Sequence, residues 1–139
     1  MITHYVSGGT KKQRQIVSDA FDFAMRELMP RKKNLDVEIS LRKFDEDADG
    51  WHLLIEKGEH EVDLKKDLST DDLVTALFHE MVHVRQYERG QLKDNGIVKS
   101  WEGEEYIYVF STVDEYMQFP WEEEAYRLQE ELYTKWIQM

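Results

Sequence analysis

The chain has 139 residues, with 18 Lys and Arg against 29 Asp and Glu, a formal net charge of −11 and no cysteine. Its 41% hydrophobic and 12% aromatic content is typical of one folded domain, residues 1–139, and excludes wholesale disorder. The lack of cysteine excludes disulfides and thiolate metal sites. The acidic balance argues against a general nucleic-acid binder, because phosphate contacts require clustered cations.

Two features of the sequence bear on where the protein acts. No apolar run approaches the ~18 residues of a membrane span. The amino-terminal MITHYVSGGTKKQRQ lacks an apolar core followed by a small-residue cleavage site. We therefore expect a cytoplasmic protein with no membrane partner.

The first half of the chain contains one helical and three strand-like patterns. Apolar residues at helical spacing predict a helix over 11–29, which Pro30 ends. Alternating residues predict strands at 35–41, 51–55 and 62–64, the last two joined by a turn at Gly58. We expect these strands to form a small antiparallel sheet, and we interpret residues 2–10 as a free tail or a cover of the site.

The second half contains two predicted helices. Ser69 and the acids after it predict the start of a helix that runs to about Arg89 and ends at Gly90. Residues 91–118 are predicted to be irregular, with one short strand near 106–110. Pro120 opens a last helix with Trp121, Ala125, Leu128 and Leu132 on its buried face. The order helix, three strands, helix, loop, helix indicates an α+β fold.

The second predicted helix contains the sequence His79-Glu80-Met81-Val82-His83. Helical positions four apart differ by only about 40° in direction, so both imidazoles can bind one ion. Zn²⁺ suits this pair and leaves room for a carboxylate and a water, whose proton Glu80 can accept. The alternative is a pair of hydrogen-bonded core histidines beside a solvent-facing glutamate.

A zinc site of this kind needs a third protein ligand. His4, His52 and His60 qualify by residue type, but they lie upstream of the motif. In the last helix, stepping 100° per residue places Glu122 inside the apolar arc, with its neighbours Glu123 and Glu124 outside it. A carboxylate on a buried face must be paired or bound to metal. Glu122 is the preferred third ligand, with Glu124 as the next candidate.

HEMVHVRQY at 79–87 and PWEEEA at 120–125 give the chain a family resemblance. It resembles compact gluzincin-type or SprT-like zinc metallopeptidases, especially short phage and microbial proteins that combine HExxHxxQY with PWExEA. The resemblance covers about residues 60–130. It implies a minimal zincin-like domain, His79 and His83 as zinc ligands, Glu80 as general base, and Glu122, first acid of an E-x-E-A pattern, as third ligand.

Two features depart from the SprT-like pattern. Many of those proteins use a third histidine, and no histidine follows His83 in this chain. Those that act near DNA tend to have basic surfaces, whereas this chain is acidic, which argues against a DNA-linked role. If the chain is encoded by a phage, we expect it to act in the cytoplasm of the host cell.

A second motif predicts a different ion. Asp45, Asp47, Asp49, Gly50 and Glu56 fit the spacing of a Ca²⁺-binding loop. The segments on both sides alternate like strands, however, whereas such a loop joins two helices. We favour an acidic hairpin turn over a Ca²⁺ site and a Ca²⁺-responsive interaction domain.

The sequence therefore predicts a monomeric zinc metallopeptidase that hydrolyses a peptide or protein substrate. The alternative is a non-catalytic zinc-binding interaction module. Candidate donors to the transition state are Tyr106, Tyr108, Tyr116 and Tyr126. The strand near 60–66 is a candidate edge on which an extended peptide could add as a further strand.

Overall fold

The protein is described here by a computed structural model that covers residues 1–45 and 47–139. It is an α+β structure with two small sheets. In chain order its elements are β1 (Ile2–Gly8), α1 (Lys11–Leu28), β2 (Leu35–Arg42), β3 (Gly50–Glu56), β4 (Glu59–Lys65), α2 (Thr70–Glu88), β5 (Leu92–Asn95), β6 (Val98–Trp101), β7 (Glu104–Ile107), α3 (Val113–Met117) and α4 (Pro120–Ile137).

The first sheet is mixed, with the strand order β1-β2-β4-β3. β1 is parallel to β2, β2 is parallel to β4, and only β3 is antiparallel to its neighbour. The predicted antiparallel sheet is therefore wrong, because the β3–β4 hairpin folds back so that β4 pairs in parallel with β2. Residues 2–8 are a strand rather than a tail, and α1 forms the crossover between β1 and β2. The inward His4 obscured the alternation in that segment.

β4 lies between β2 and β3, so it has no free edge. The prediction that residues 60–66 could accept a peptide strand is wrong, and β1 and β3 are the edge strands. The apolar face of β3 also points away from the helices. Trp51, Leu53 and Ile55 are 47% to 57% exposed, while His52 pairs with the fully buried Val62 on the helix side.

The core lies between the inner face of this sheet and three helices. Val37, Ile39, Val62 and Leu64 project from the sheet towards α1 and α2 and are buried. The predicted helix boundaries are confirmed within one or two residues. Ser69 caps α2 through its side chain, and Pro120 occupies the first turn of α4.

Residues 92–107 form a second sheet, which corrects the prediction of an irregular segment. Its order is β5-β6-β7, and both connections are tight turns with Gly96 and Gly103 at positive φ. The strands have only four residues each and are mostly polar, so their alternation was too short to detect. Leu92 and Trp101 form a small buried cluster there with Trp121 of α4. Among the described residues, no helix is long and apolar enough to cross a bilayer.

Candidate metal centre

The candidate site lies where the middle of α2 meets the first turn of α4. α2 supplies His79, Glu80 and His83, and α4 supplies Glu122. All four side chains are at most 7% exposed. The structure therefore brings together the three predicted ligands and the predicted general base, and the preference for Glu122 on the buried face agrees with its position.

The three ligand side chains face one another directly. Nε2 of His79 lies 3.0 Å from Oε1 of Glu122, and Nε2 of His83 lies 3.2 Å from Oε2. The two Nε2 atoms are 3.2 Å apart. Within residues 1–45 and 47–139, this is the only group of three potential metal-binding side chains with ligand atoms so close together.

Two glutamines fix the orientation of the imidazoles. Nδ1 of His79 lies 2.8 Å from Oε1 of Gln129, and Nδ1 of His83 lies 2.8 Å from Oε1 of Gln86. An amide oxygen can only accept, so each Nδ1 carries the proton and donates it. Each Nε2 of a neutral ring therefore presents its lone pair towards Glu122.

The amide nitrogen of Gln86 fixes the orientation of this side chain. Its Nε2 donates to the backbone oxygen of Trp121 and to the carboxylate of Glu124, at 3.0 and 3.1 Å. Gln86 is fully buried and links α2 to α4. Sequence reasoning missed both glutamines, although a glutamine three residues after His83 on an apolar helix was a signal that could have revealed Gln86.

These distances fit a tetrahedral zinc ion. With zinc-to-ligand bonds of 2.0–2.1 Å, two ligands of a tetrahedral site lie about 3.3 Å apart. The observed separations of 3.0 to 3.2 Å are close to this value. Three lone-pair donors that face one another repel unless a cation, either a proton or a metal ion, lies between them. The residues thus fit the ion that the sequence implies.

The charges of this group are strongly coupled. Burial alone would lower the pKa of His83, but the adjacent Glu122 carboxylate raises it to about 9. Burial would raise the pKa of Glu122, yet the two histidines hold that pKa well below its ordinary value. Glu122 is therefore ionised and ready to serve as a ligand.

Glu80 lies beside the group without belonging to it. Burial raises the pKa of its carboxyl, although His79 and His83 act in the opposite direction. A side-chain carbon built on Gly50 of β3 would lie only 3.2 Å from Oε2 of Glu80. The carboxylate of Glu80 is thus packed against the backbone of the edge strand.

The other candidate ligands have different partners. His4 lies 2.7 Å from the hydroxyl of Ser18. Glu124 contacts Gln86 and Arg85, so it positions Gln86 instead of completing the group. None of these side chains joins the three ligands.

His52 and His60 belong to a separate series of hydrogen-bonded side chains. Glu88 accepts from Nε2 of His60 at 2.7 Å, and Nδ1 of His60 accepts from Nε2 of His52 at 2.7 Å. Lys32 lies 2.8 Å from the other oxygen of Glu88. His52 stacks on Tyr87 near His83, but its Nε2 is engaged with His60.

Two of the four candidate tyrosines reach the centre. Tyr116 lies close enough to Glu122 that burial, and after it the charge of that carboxylate, raise the pKa of the Tyr116 hydroxyl. The ring of Tyr126 packs against His79, with centroids 4.6 Å apart. Tyr106 bonds to Glu104 away from the ligands, and Tyr108 packs on Phe119.

The predicted Ca²⁺ ligands lie at opposite ends of β3. Asp45, Asp47 and Asp49 lie between β2 and β3, while Glu56 is the last residue of β3. Steps of about 3.3 Å per strand residue separate Asp49 from Glu56 by roughly 20 Å. The flanking elements are strands, as their alternation indicated. Glu46 of this motif lies outside the described residues.

No family model matches the chain, and no curated protein or solved structure matches it. The site itself is a His-His-Glu group that can hold a metal ion, and a buried carboxylate lies next to it.

Proposed function

We propose that the protein is a zinc-dependent metallopeptidase that hydrolyses peptide bonds. The observation that carries this proposal is the convergence of Nε2 of His79, Nε2 of His83 and the Glu122 carboxylate at 3.0 to 3.2 Å. Glutamine acceptors on both Nδ1 atoms support it, because such outer partners orient histidines that bind metals.

The roles follow from the positions of the side chains. When bound, zinc supplies a Lewis acid that lowers the pKa of a water towards ~7 and polarises a carbonyl group. Glu80 accepts a proton from the attacking water at its carboxylate and returns it to the amine nitrogen of the leaving peptide. Its raised pKa suits a group that must both gain and release a proton. We assign the Tyr116 hydroxyl, which lies near Glu122, as the donor to the developing oxyanion.

The second candidate is a zinc-binding interaction module without catalysis. Structural zinc sites are normally closed by four protein ligands, whereas catalytic sites keep one position open. Among the described residues the group contains three ligands, and an ionisable carboxyl lies next to it. The count of ligands favours the catalytic proposal.

Metal content tests the ligand assignment. We expect about one zinc per chain in protein purified without added metal or chelator, and loss of that zinc in His83→Ala and Glu122→Gln. The matched control is Glu123→Gln, which changes an exposed acid of the same turn and should keep zinc. Glu124→Gln tests the alternative third ligand and should also keep zinc, because an amide oxygen can still accept from Gln86. Elemental analysis of all five proteins decides the matter. Zinc retained in Glu122→Gln but lost in Glu124→Gln would transfer the role to Glu124.

Hydrolysis is tested separately with Glu80→Gln. This variant should keep zinc and lose about 10²–10⁴-fold in kcat on a peptide library, because the proton acceptor is removed while the ligands remain. Full activity in Glu80→Gln would remove Glu80 from the mechanism. Stoichiometric zinc with no hydrolysis of any peptide by the wild type would favour the interaction module.

A further inference from the structure

An exposed apolar surface lies beside the candidate metal centre. Three large apolar side chains on or next to α3 are 40% to 70% exposed: Phe110, Val113 and Met117. We refer to them as the apolar surface. Val113 and Met117 lie four residues apart on the same face of α3, and the ring of Phe110 packs on Tyr116 of that helix. Exposed apolar side chains grouped in this way mark a candidate binding site, because a partner that covers them removes their area from water.

The apolar surface rests on an ordered aromatic layer. The ring of Phe110 packs on Tyr108 and Tyr116, and Tyr108 packs on Phe119. Phe119 stacks in parallel on Trp121, which is only 2% exposed. The surface is therefore held in place by rings that continue into the core.

The short helix α3 connects this surface to the metal centre. Tyr116 is half-buried near Glu122, whereas Val113 and Met117 of the same helix face solvent. A chain lying on Val113 and Met117 would therefore lie on the helix that places Tyr116 next to the ligand Glu122.

The charges around the surface select its occupant. Residues 92–119 contain six acids and two lysines, and two of the acids, Asp114 and Glu115, are exposed on α3 itself between Val113 and Met117. Lys99 is already paired with Asp94 at 3.2 Å. A second copy of this chain, with its own acidic rim, and an anionic membrane would both be repelled. An apolar segment with basic flanks is complementary.

We propose that the apolar surface binds the substrate, and that this substrate is an extended polypeptide segment with apolar side chains flanked by Lys or Arg. That the bound segment is a substrate rests on the proposed peptidase function. Binding of the segment to the apolar surface does not require hydrolysis.

The test measures binding and cleavage separately. Zinc-loaded Glu80→Gln protein is titrated with three labelled peptides: an apolar centre flanked by lysines, the same centre flanked by glutamates, and a Gly-Ser centre flanked by lysines. The first should bind most tightly. Adding Val113→Ser and Met117→Gln should weaken it about five- to tenfold, because less apolar area is removed from water. Ile137→Ser, an exposed apolar position at the end of α4, is the control and should change nothing.

The outcomes distinguish this inference from the proposed function. Equal affinity for the three peptides, or no effect of the double substitution, would overturn the inference even if the wild type cleaves peptides. Binding that follows the predicted order without cleavage by the wild type would support the surface and contradict the peptidase. Two further results would overturn the inference, because each would identify another occupant of the apolar surface. One is a dimer in sedimentation that the double substitution abolishes, and the other is binding to zwitterionic vesicles that the double substitution abolishes.

Discussion

Gln86 and Gln129 determine which nitrogen of each histidine is available at the metal centre. Each accepts from Nδ1–H, so Nε2 is the nitrogen that faces Glu122 and offers its lone pair to a metal ion when the ring is neutral. Gln86 also donates to the backbone of Trp121 in α4, which couples the histidine on one helix to the turn that carries Glu122. A change at Gln86 therefore acts on metal binding without removing a ligand.

We expect Gln86→Leu to weaken zinc binding by about 10- to 100-fold, since His83 loses the acceptor that fixes its tautomer. Competition with a chromophoric chelator measures the affinity. Gln118→Leu, an exposed glutamine outside the network, serves as the control. Unchanged zinc affinity in Gln86→Leu would show that His83 is oriented by packing alone.

At the scale of elements, β3 approaches α2 closely enough to position Glu80. Gly50 has no side chain, and an added carbon would meet Oε2 of Glu80 and the backbone oxygen of Asp63 at 3.2 and 3.1 Å. Cδ2 of Leu64 would also lie 3.2 Å away, so the added carbon requires small shifts of the Glu80 and Leu64 side-chain ends. The glycine is required there by space and not by its backbone angle.

Gly50→Ala should therefore lower kcat on a peptide substrate by about 10- to 100-fold, because a small displacement of a catalytic group is costly. Gly50→Val should lower it further. Zinc content should stay at the wild-type level in both, because the ligands lie on α2 and α4. Loss of zinc together with activity would indicate that β3 supports the ligands themselves.

Glu88 joins separate elements through one carboxylate. It accepts from His60 on β4 and from the backbone N–H of Gly58 in the hairpin turn, and it pairs with Lys32 between α1 and β2. Burial alone would raise the pKa of Glu88, but these three donors outweigh burial and hold that pKa below its ordinary value.

This shift gives stability a defined dependence on pH. A lowered folded pKa contributes stability that is present above the unfolded pKa of about 4.3 and is lost as pH falls through the folded pKa. Glu88→Gln should lower the free energy of unfolding by about 1–3 kcal/mol at pH 7. The difference from wild type should shrink below about pH 4. Urea denaturation at both pH values measures it, with the exposed Glu131→Gln as control. A difference that does not change with pH would contradict the assignment.

At the scale of the whole molecule, the metal centre joins distant parts of the chain. His79 and His83 are separated from Glu122 by about forty residues that include the second sheet and α3. A metal ion bound to all three would therefore connect α2 to α4 across the core. Its binding free energy adds to the free energy of unfolding because the unfolded chain does not hold the three ligands together.

Zinc at 100 times its Kd should stabilise the protein by about 2.7 kcal/mol. For a chain of this size, that corresponds to a rise of roughly 10 °C in Tm. A thermal scan with and without chelator measures the rise, and Glu122→Gln should show almost none. An equal rise in that variant would mean that zinc binds elsewhere.

The sequence by itself determined the local features of this protein. Helical periodicity and caps located α1, α2 and α4, and the spacing of His79 and His83 followed from 3.6 residues per turn. The direction of Glu122 was predictable for the same reason, because a helix fixes the angle between its side chains. These are properties of neighbouring residues.

Only the tertiary structure decided the rest. It paired β1 and β4 with β2, turned the apolar side of β3 to solvent, and formed the second sheet from strands of four residues. It also placed Gln129 on His79 and Gly50 against Glu80. Strand order and contacts between elements depend on how the faces of distant segments fit together, and periodicity along the chain carries no information about that fit.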